Sequence, residues 1–405
     1  MADINTELDP IGQYYASVIT PKHPGQFMLS AYLKEKVEPK ILQQSVDDTM
    51  RRLPFLCGRL KPKFFSYHHE LLSSPPKIVW MDKIVSDYTF TDYYNKGDKH
   101  VLRVLYGECH ITLEVIHSIV DGRGLARVMQ TLLSRYFELL GLDFDKSDVI
   151  DCSDKFCTEE WEDAYLRFYE PSKKKSGRIT EEQPESYHCK TTKPMPAHII
   201  LKSFDLAEIK QSAKEHDATV SEYMTAQIFF AIADERNANG SNKPITALIP
   251  IDCRAFFPTK TLRSFVDSIT ITMPETDDMH TMVAGIREQF AKITEGFVQE
   301  SINEFQGLAN KGRFLPRVIK KWWLRRFEGS EGGGLTTTFS NLGKVPLPPE
   351  VEAKVEKIAF IIDAEEEDMP ITFASATVGN TLTLAITLCQ RDSGTPFDIF
   401  YLRRS

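Results

Sequence analysis

The stretch His110–Gly141, HITLEVIHSIVDGRGLARVMQTLLSRYFELLG, decides how the rest of the chain is read. It begins with an apolar, β-branched run that favours a pleated strand over residues 110–117. From residue 123 the pattern changes. Leu125, Val128, Met129, Leu132, Leu133, Tyr136, Phe137 and Leu140 recur at helical spacing, and Gly141 is a stop signal. A histidine, His117, closes the strand, and an aspartate, Asp121, opens the helix.

On a strand, alternate side chains share a face, so Leu113, Val115 and His117 lie on one side and Glu114 and Ile116 on the other. A histidine at the end of a strand can reach a cleft while the strand holds it in place. Gly122 and Gly124 are expected to let the backbone turn tightly into the helix. Asp121 sits where exposed backbone N–H groups favour a carboxylate. Three readings of the pair follow. His117 could be a satisfied core histidine above a helix-capping Asp121. His110, Glu114, His117 and Asp121 could ligate a metal if the segment were one continuous helix, but ITLEVI and the two glycines argue against that helix, so no metal is expected. His117 could instead act as a general base, a role for which neutral imidazole is suited near pH 7. No GxSxG elbow accompanies it, so Ser118 is a poor nucleophile, and the base would act on a substrate hydroxyl or amine directly.

The 405 residues suffice for two domains, with 42% hydrophobic and 26% charged residues, as in ordinary globular proteins. A net charge of −8 argues against nucleic acid as a partner. No stretch approaches the ~20 apolar residues of a membrane span. The start, MADINTELDPIGQYY, has no apolar core of a secretory signal, so a cytoplasmic protein is expected. Seven scattered cysteines without CxxC pairs argue against a disulfide framework or a zinc ribbon. Cys57, Cys109, Cys253 and Cys389 lie in apolar runs and are expected to be buried thiols; Cys152 and Cys157 are assigned nothing.

Outward from the junction, residues 27–33 read as a strand. EPKILQQSVDDTMRRLP reads as a helix, begun by Pro39 and ended by Pro54. Residues 101–106 read as another strand. The polar stretch from Glu170 to Pro196 reads as a surface connection, with Lys173–Lys175 a solvated run. The second half restarts with the strand AHIILKSF. Helices follow at Asp205–His216 and from Thr219 or Ser221 to Arg236, then a strand in KPITALIPIDCRAFF and an amphipathic helix over 281–300. GLTTTFSNLG, VEKIAFII, ITFASATV and TLTLAITLCQ supply strands, the last two joined by a Gly379-Asn380 turn. KKWWLRR, Lys320–Arg326, reads as a helix end, or less simply as a membrane-interface or lipid-facing element. EGGGLTTT, 331–338, is a glycine-rich loop without a P-loop lysine. The class is α/β, divided as an N-terminal lobe (1–175), a connection (176–196) and a C-terminal lobe (197–405).

HSIVDG, at a strand-to-helix junction in the first half of the chain, resembles the HxxxDG motif of the chloramphenicol-acetyltransferase-like superfamily. Its members include alcohol O-acetyltransferases and the condensation domains of peptide synthetases. MRRLPFLCGRL, ATVSEYMTAQIFFAIA, IPIDCRAFF and FSNLGKVPLP are similar to further family segments in the same order, the last to the SNLG segment of alcohol acetyltransferases. The resemblance implies two lobes, each a mixed β-sheet flanked by helices, around a central channel. It also implies acyl transfer, most simply of acetyl, from a CoA or carrier thioester to an alcohol by direct attack, with His117 as the general base. Asp121 and Gly122 would be structural, Asp121 pairing with Arg254. Ser340 and Asn341 are candidates for oxyanion stabilisation or channel lining. Acyl-CoA, in the first place acetyl-CoA, would be a co-substrate and nothing would be permanently bound. An acyl or peptidyl carrier protein is an alternative partner, and a monomer is expected. Many relatives carry HHxxxDG, but here Ile116 precedes the base, and the plant-type DFGWG signature is absent. The missing DFGWG favours the alcohol-acetyltransferase or a related branch, whereas Ile116 motivates the second reading, a catalytically weak or inactive condensation-like module that docks a carrier protein.

Overall fold

The computed structural model describes residues 6–19, 25–82, 100–171, 185–189, 197–322, 324, 335–364 and 369–389. The first part of the chain contributes α1 (Pro10–Val18), β1 (Gln26–Leu33), α2 (Pro39–Arg52), β2 (Gly58–Pro62), β3 (Tyr67–Leu71), β4 (Val79–Trp80), β5 (Leu102–Tyr106), β6 (His110–Ile116) and α3 (Gly122–Leu139). A single turn, α4 (Ala164–Arg167), leads to β7 (His198–Asp205), α5 (Leu206–Glu215), α6 (Val220–Ala238), β8 (Thr246–Asp252) and β9 (Val266–Thr272). Then come α7 (Met279–Phe290), α8 (Glu295–Gly312), β10 (Thr337–Lys344), β11 (Val355–Ile362), β12 (Ile371–Val378) and β13 (Thr381–Leu388).

Two mixed sheets carry the fold. One has the order β11-β1-β6-β5-β4 and the other β7-β13-β12-β10-β8-β9, with β2 and β3 forming a separate hairpin. β6 is central in the first sheet, antiparallel to both β1 and β5, so all seven of its residues are buried. Its two faces differ. Ile111, Leu113 and Val115 join the core cluster that includes α2 and α3 residues, where the Ser45 hydroxyl of α2 donates to the Leu132 carbonyl of α3 at 2.7 Å. On the other face Thr112 donates to Ser30 at 2.7 Å, and Glu114 pairs with Arg103 at 2.6 Å. A buried carboxylate needs such a partner.

The ends of the helices follow local chemistry. Thr219 and Glu222 form a reciprocal capping box at α6. At the end of α3, Gly141 adopts φ +90° while the Leu142 N–H donates back to the Phe137 carbonyl. Gly379, at φ +54°, is the first residue of the two-residue turn joining β12 to β13.

Several expectations need correction. The helix expected over 281–300 is two helices, α7 and α8, separated at Ala291–Thr294, where Thr294 caps α8 by accepting from the Phe297 N–H. β11 lies in the sequence range of the C-terminal lobe but forms the edge of the first sheet, pairing with β1. It also packs against β12 and β13, so it joins the two halves. Conversely Ile11 of α1 belongs to the core of the second half. The connection is not wholly a surface segment: Ser186, Tyr187 and Cys189 are buried, and Tyr187 donates to the Glu235 carboxylate of α6. Cys109 is only half-buried, in the turn before β6, whereas Cys57, Cys253 and Cys389 are buried as expected. Lys173–Lys175, Gly332–Gly334 and, within KKWWLRR, Trp323, Arg325 and Arg326 lie outside the described residues.

Candidate active site

His117 stands one residue beyond β6, in the turn toward α3, with its N–H donating to the Gly25 carbonyl at 2.9 Å. Its imidazole lies against the Tyr15 ring, nearly parallel, with centroids 4.0 Å apart and planes 14° from parallel. Phe27 approaches edge-on at 4.9 Å. Phe27 is the partner of Val115 across the β1–β6 ladder, so the imidazole projects on the face that the strand alternation assigns to Leu113 and Val115. The Ser264 hydroxyl donates to the His117 carbonyl at 3.0 Å, which fixes the backbone from the second half of the chain.

Burial holds the His117 pKa below its ordinary value, because the enclosed imidazolium loses hydration. Its own carbonyl and the Asp121 carboxylate act in the opposite direction without overcoming burial. The ring is therefore neutral at pH 7. Nδ1 is enclosed and has no hydrogen-bond partner of ordinary geometry.

Asp121 does not face His117 as a hydrogen-bond partner. It is 1% exposed and caps α3, Oδ1 accepting from the Gly124 N–H at 2.7 Å. Oδ2 accepts from Arg254 Nη1 at 2.8 Å and from the Phe265 N–H at 2.8 Å. Arg254 follows β8 in a short 3₁₀ turn. It also donates to Asp252 at 2.9 Å and to the carbonyls of Thr261 and Arg263 at 3.1 and 2.6 Å. Burial by itself would lower the Arg254 pKa, but the carboxylates of Asp121 and Asp252 raise it overall, so this guanidinium stays charged. One ion pair thus ties the histidine turn to the 261–265 segment of the second half.

The two glycines after Asp121 serve close approach rather than a turn, since neither has positive φ. A Cβ on Gly124 would lie 2.1 Å from the Leu262 carbonyl oxygen, and one on Gly122 would lie 3.1 Å from Phe360 and 3.2 Å from Leu342. Leu342 belongs to β10, so the SNLG segment packs against the start of α3. Within it Asn341 is internally engaged. Its Nδ2 donates to Ser221 at 2.9 Å, and its Oδ1 accepts from Gly343 N–H and Ser375 Oγ, each at 3.0 Å. It therefore links β10 to α6 and β12. Ser340 is half-buried on β10 opposite Ala374. The four residues considered as metal ligands are dispersed. His110 lies at the far end of β6 beside Tyr32, Glu114 pairs with Arg103, and Asp121 pairs with Arg254. Among the described residues no three His, Cys, Asp or Glu side chains converge. Ile116 is 1% exposed in the sheet core, so the residue before His117 is a packing position.

Sequence reading missed α1 and what it brings. Asp9 caps this helix by accepting from the Gly12 N–H at 2.7 Å and pairs with the fully buried Arg263 at 3.0 Å. Arg263 also donates to the Glu7 carbonyl at 2.8 Å. Asp9 followed by Pro10 was a legible helix-start signal. That the helix would carry Tyr15 onto His117 was not, because the contact spans about a hundred residues.

Comparison with other proteins accords with this geometry. F. graminearum TRI101 complexed with coenzyme A and T-2 mycotoxin is similar at 13% identity with a TM-score of 0.66, covering 97% of this chain and 96% of that one. Polyketide synthase associated protein 5 from Mycobacterium tuberculosis matches at 13% identity and TM-score 0.63, covering 98% and 96%. The epimerization domain of tyrocidine synthetase B matches at 9% identity and TM-score 0.57, covering 98% and 94%. These likenesses establish the two-lobed fold of chloramphenicol-acetyltransferase-like proteins. No curated protein matches in sequence. No helix among the described residues is long and apolar enough to cross a membrane. The alcohol acetyltransferase family model matches residues 165–393, more than half of the chain and wholly beyond the HSIVDG segment, so the motif and the match are independent. The chain therefore belongs to the alcohol acetyltransferase family of acyl-CoA-dependent O-acyltransferases.

Proposed function

We propose that the protein moves an acyl group, in the first place acetyl, from CoA to an alcohol, with His117 as the general base. The observation that carries this reading is a neutral imidazole fixed between Tyr15 and Phe27 whose motif aspartate is turned away to Arg254. With Nδ1 enclosed and carrying the proton, Nε2 accepts the hydroxyl proton as the alcohol oxygen attacks the thioester carbonyl carbon. The carbonyl π pair moves onto oxygen to form a tetrahedral oxyanion. Its collapse breaks the C–S bond, and the CoA thiolate takes the proton back from the imidazolium. No acyl-enzyme is required. Ser340 is the candidate oxyanion donor of the SNLG segment, while the amide of Asn341 is committed to holding that segment in place. Gly122 and Asp121 act by placing the turn.

The test is turnover of acetyl-CoA and longer acyl-CoAs against a panel of alcohols by wild type and His117→Ala. A fall of about 10²–10⁴ in kcat is expected for the variant. Undiminished turnover would sink the mechanism. Because the His117 pKa is lowered from 6.5, the acid limb of kcat/KM is expected below that pH. The same assay with an acyl-carrier thioester in place of acyl-CoA distinguishes the two donors. We further propose that the protein is monomeric, which sedimentation tests directly.

A further inference from the structure

Two segments far apart in sequence build an exposed apolar face outside the reaction centre. One is the tip of the β2–β3 hairpin, where Phe64 is 71% exposed. The other follows α8, where Phe314, Val318 and Trp322 are 77%, 72% and 64% exposed. Val318 and Trp322 are one helical turn apart, so they share a face. The segments are bonded together rather than merely adjacent. The Arg317 N–H donates to the Phe64 carbonyl at 2.9 Å, and Lys320 Nζ donates to the Phe65 carbonyl at 2.8 Å. Arg317 also donates to the Tyr67 hydroxyl at 2.8 Å, with its guanidinium 4.9 Å from that ring. Tyr67 in turn exchanges backbone hydrogen bonds of 2.9 Å with the Gln13 side chain of α1, two residues from Tyr15.

Scattered exposed apolar side chains are ordinary, but a joined patch rimmed by charge marks a contact surface. The charge along this stretch of sequence has one sign. Lys311, Arg313, Arg317, Lys320 and Lys321 fall between Lys311 and Trp322 with no acidic residue among them, in a chain of net charge −8. Lys63 adds a cation at the hairpin tip. We propose that this face docks on an anionic phospholipid surface, with Phe64, Phe314, Val318 and Trp322 entering the headgroup layer and the positive charge of Lys63, Arg313, Arg317 and Lys320 drawn to the negative leaflet. The combination decides the occupant. The aromatic and aliphatic side chains suit the interface between headgroups and acyl chains, and the excess of Lys and Arg suits a negative leaflet.

The test is flotation of the full chain with vesicles of phosphatidylcholine alone or with about 30 mol% phosphatidylglycerol. Wild type is expected to float with the anionic vesicles only, and to be released as sodium chloride is raised to about 0.5 M. The double variant Phe314→Glu, Val318→Glu is expected to lose about tenfold or more in partition while melting like wild type, since both side chains project into solvent. Retention of wild type in solution with anionic vesicles would overturn the proposal, as would equal binding to phosphatidylcholine alone or a double variant that floats like wild type. A wild-type dimer that the double variant converts to monomer would also overturn it, by assigning the face to a second copy of the chain. None of these readouts depends on turnover.

Discussion

Replacing Asp121 with alanine removes the acceptor of three hydrogen bonds at once, from Gly124 N–H, Phe265 N–H and Arg254 Nη1. The carboxylate is 1% exposed, so water does not take its place. Arg254 keeps Asp252 as a second carboxylate, but two backbone N–H groups lose their acceptor and α3 loses its cap. Breaking a buried pair costs about 3–5 kcal/mol, and the cap, worth about 1 kcal/mol, lies within rather than on top of that range. With an unfolding entropy of about 2.1 cal/mol/K per residue, the whole chain melting as one unit would shift by roughly 4–6 °C. Differential scanning calorimetry of wild type, Asp121→Ala and Asp121→Asn measures this directly. The asparagine variant, which keeps one oxygen and the side-chain volume, is expected to fall between the other two. Because the Asp121 charge favours the imidazolium, Asp121→Asn is also expected to move the acid limb of kcat/KM to lower pH. An Asp121→Ala protein melting within about 1 °C of wild type, yet as inactive as His117→Ala, would refute the reasoning and make Asp121 a chemical partner of the base.

Further outcomes follow from the same geometry. Tyr15→Ala removes the ring stacked on His117, so kcat is expected to fall about tenfold or more while Tyr15→Phe retains activity; equal activity of the alanine variant would refute a positioning role. Gly124→Ala places a Cβ 2.1 Å from a backbone carbonyl that cannot swing away, and destabilisation of about 2 kcal/mol or more is expected by chemical denaturation. His69 is buried beside Arg263 over Gly58, and burial followed by the Arg263 charge lowers its pKa from 6.5 to about 3. The unfolded chain therefore takes up this proton first, so its contribution to stability is lost as pH falls from 6.5 toward 3. Urea titrations across that window are expected to show a shallower loss for His69→Gln, and parallel curves for variant and wild type would refute the assignment.

What could be read from the chain was local. The change of period at residue 117, the helix limits at Pro39, Pro54 and Gly141, and a cap-type residue at 219 or 221 depend on neighbours within one or two turns. The motif spacing and the order of later segments were enough for the resemblance, and the pairing of Asp121 with Arg254 was expected through that resemblance. The 281–300 segment reads as one helix because its apolar period continues past the Thr294 cap that starts a second one. The glycines after Asp121 read locally as turn residues, because a close approach by Leu262 or Phe360 leaves no local signature.

The sequence by itself determined a strand that gives way at a histidine, a helix begun by an aspartate, and the α/β class of the chain. Only the tertiary structure decided the surroundings that set the histidine's chemistry. Tyr15 comes from a helix a hundred residues upstream, and Ser264 and Arg254 come from well over a hundred residues downstream. β11 crosses into the first sheet and brings Phe360 against Gly122. Secondary structure responds to forces between near neighbours in sequence. The state and aim of an imidazole respond instead to whatever packs around it, and that packing exists only once both halves of the chain have met.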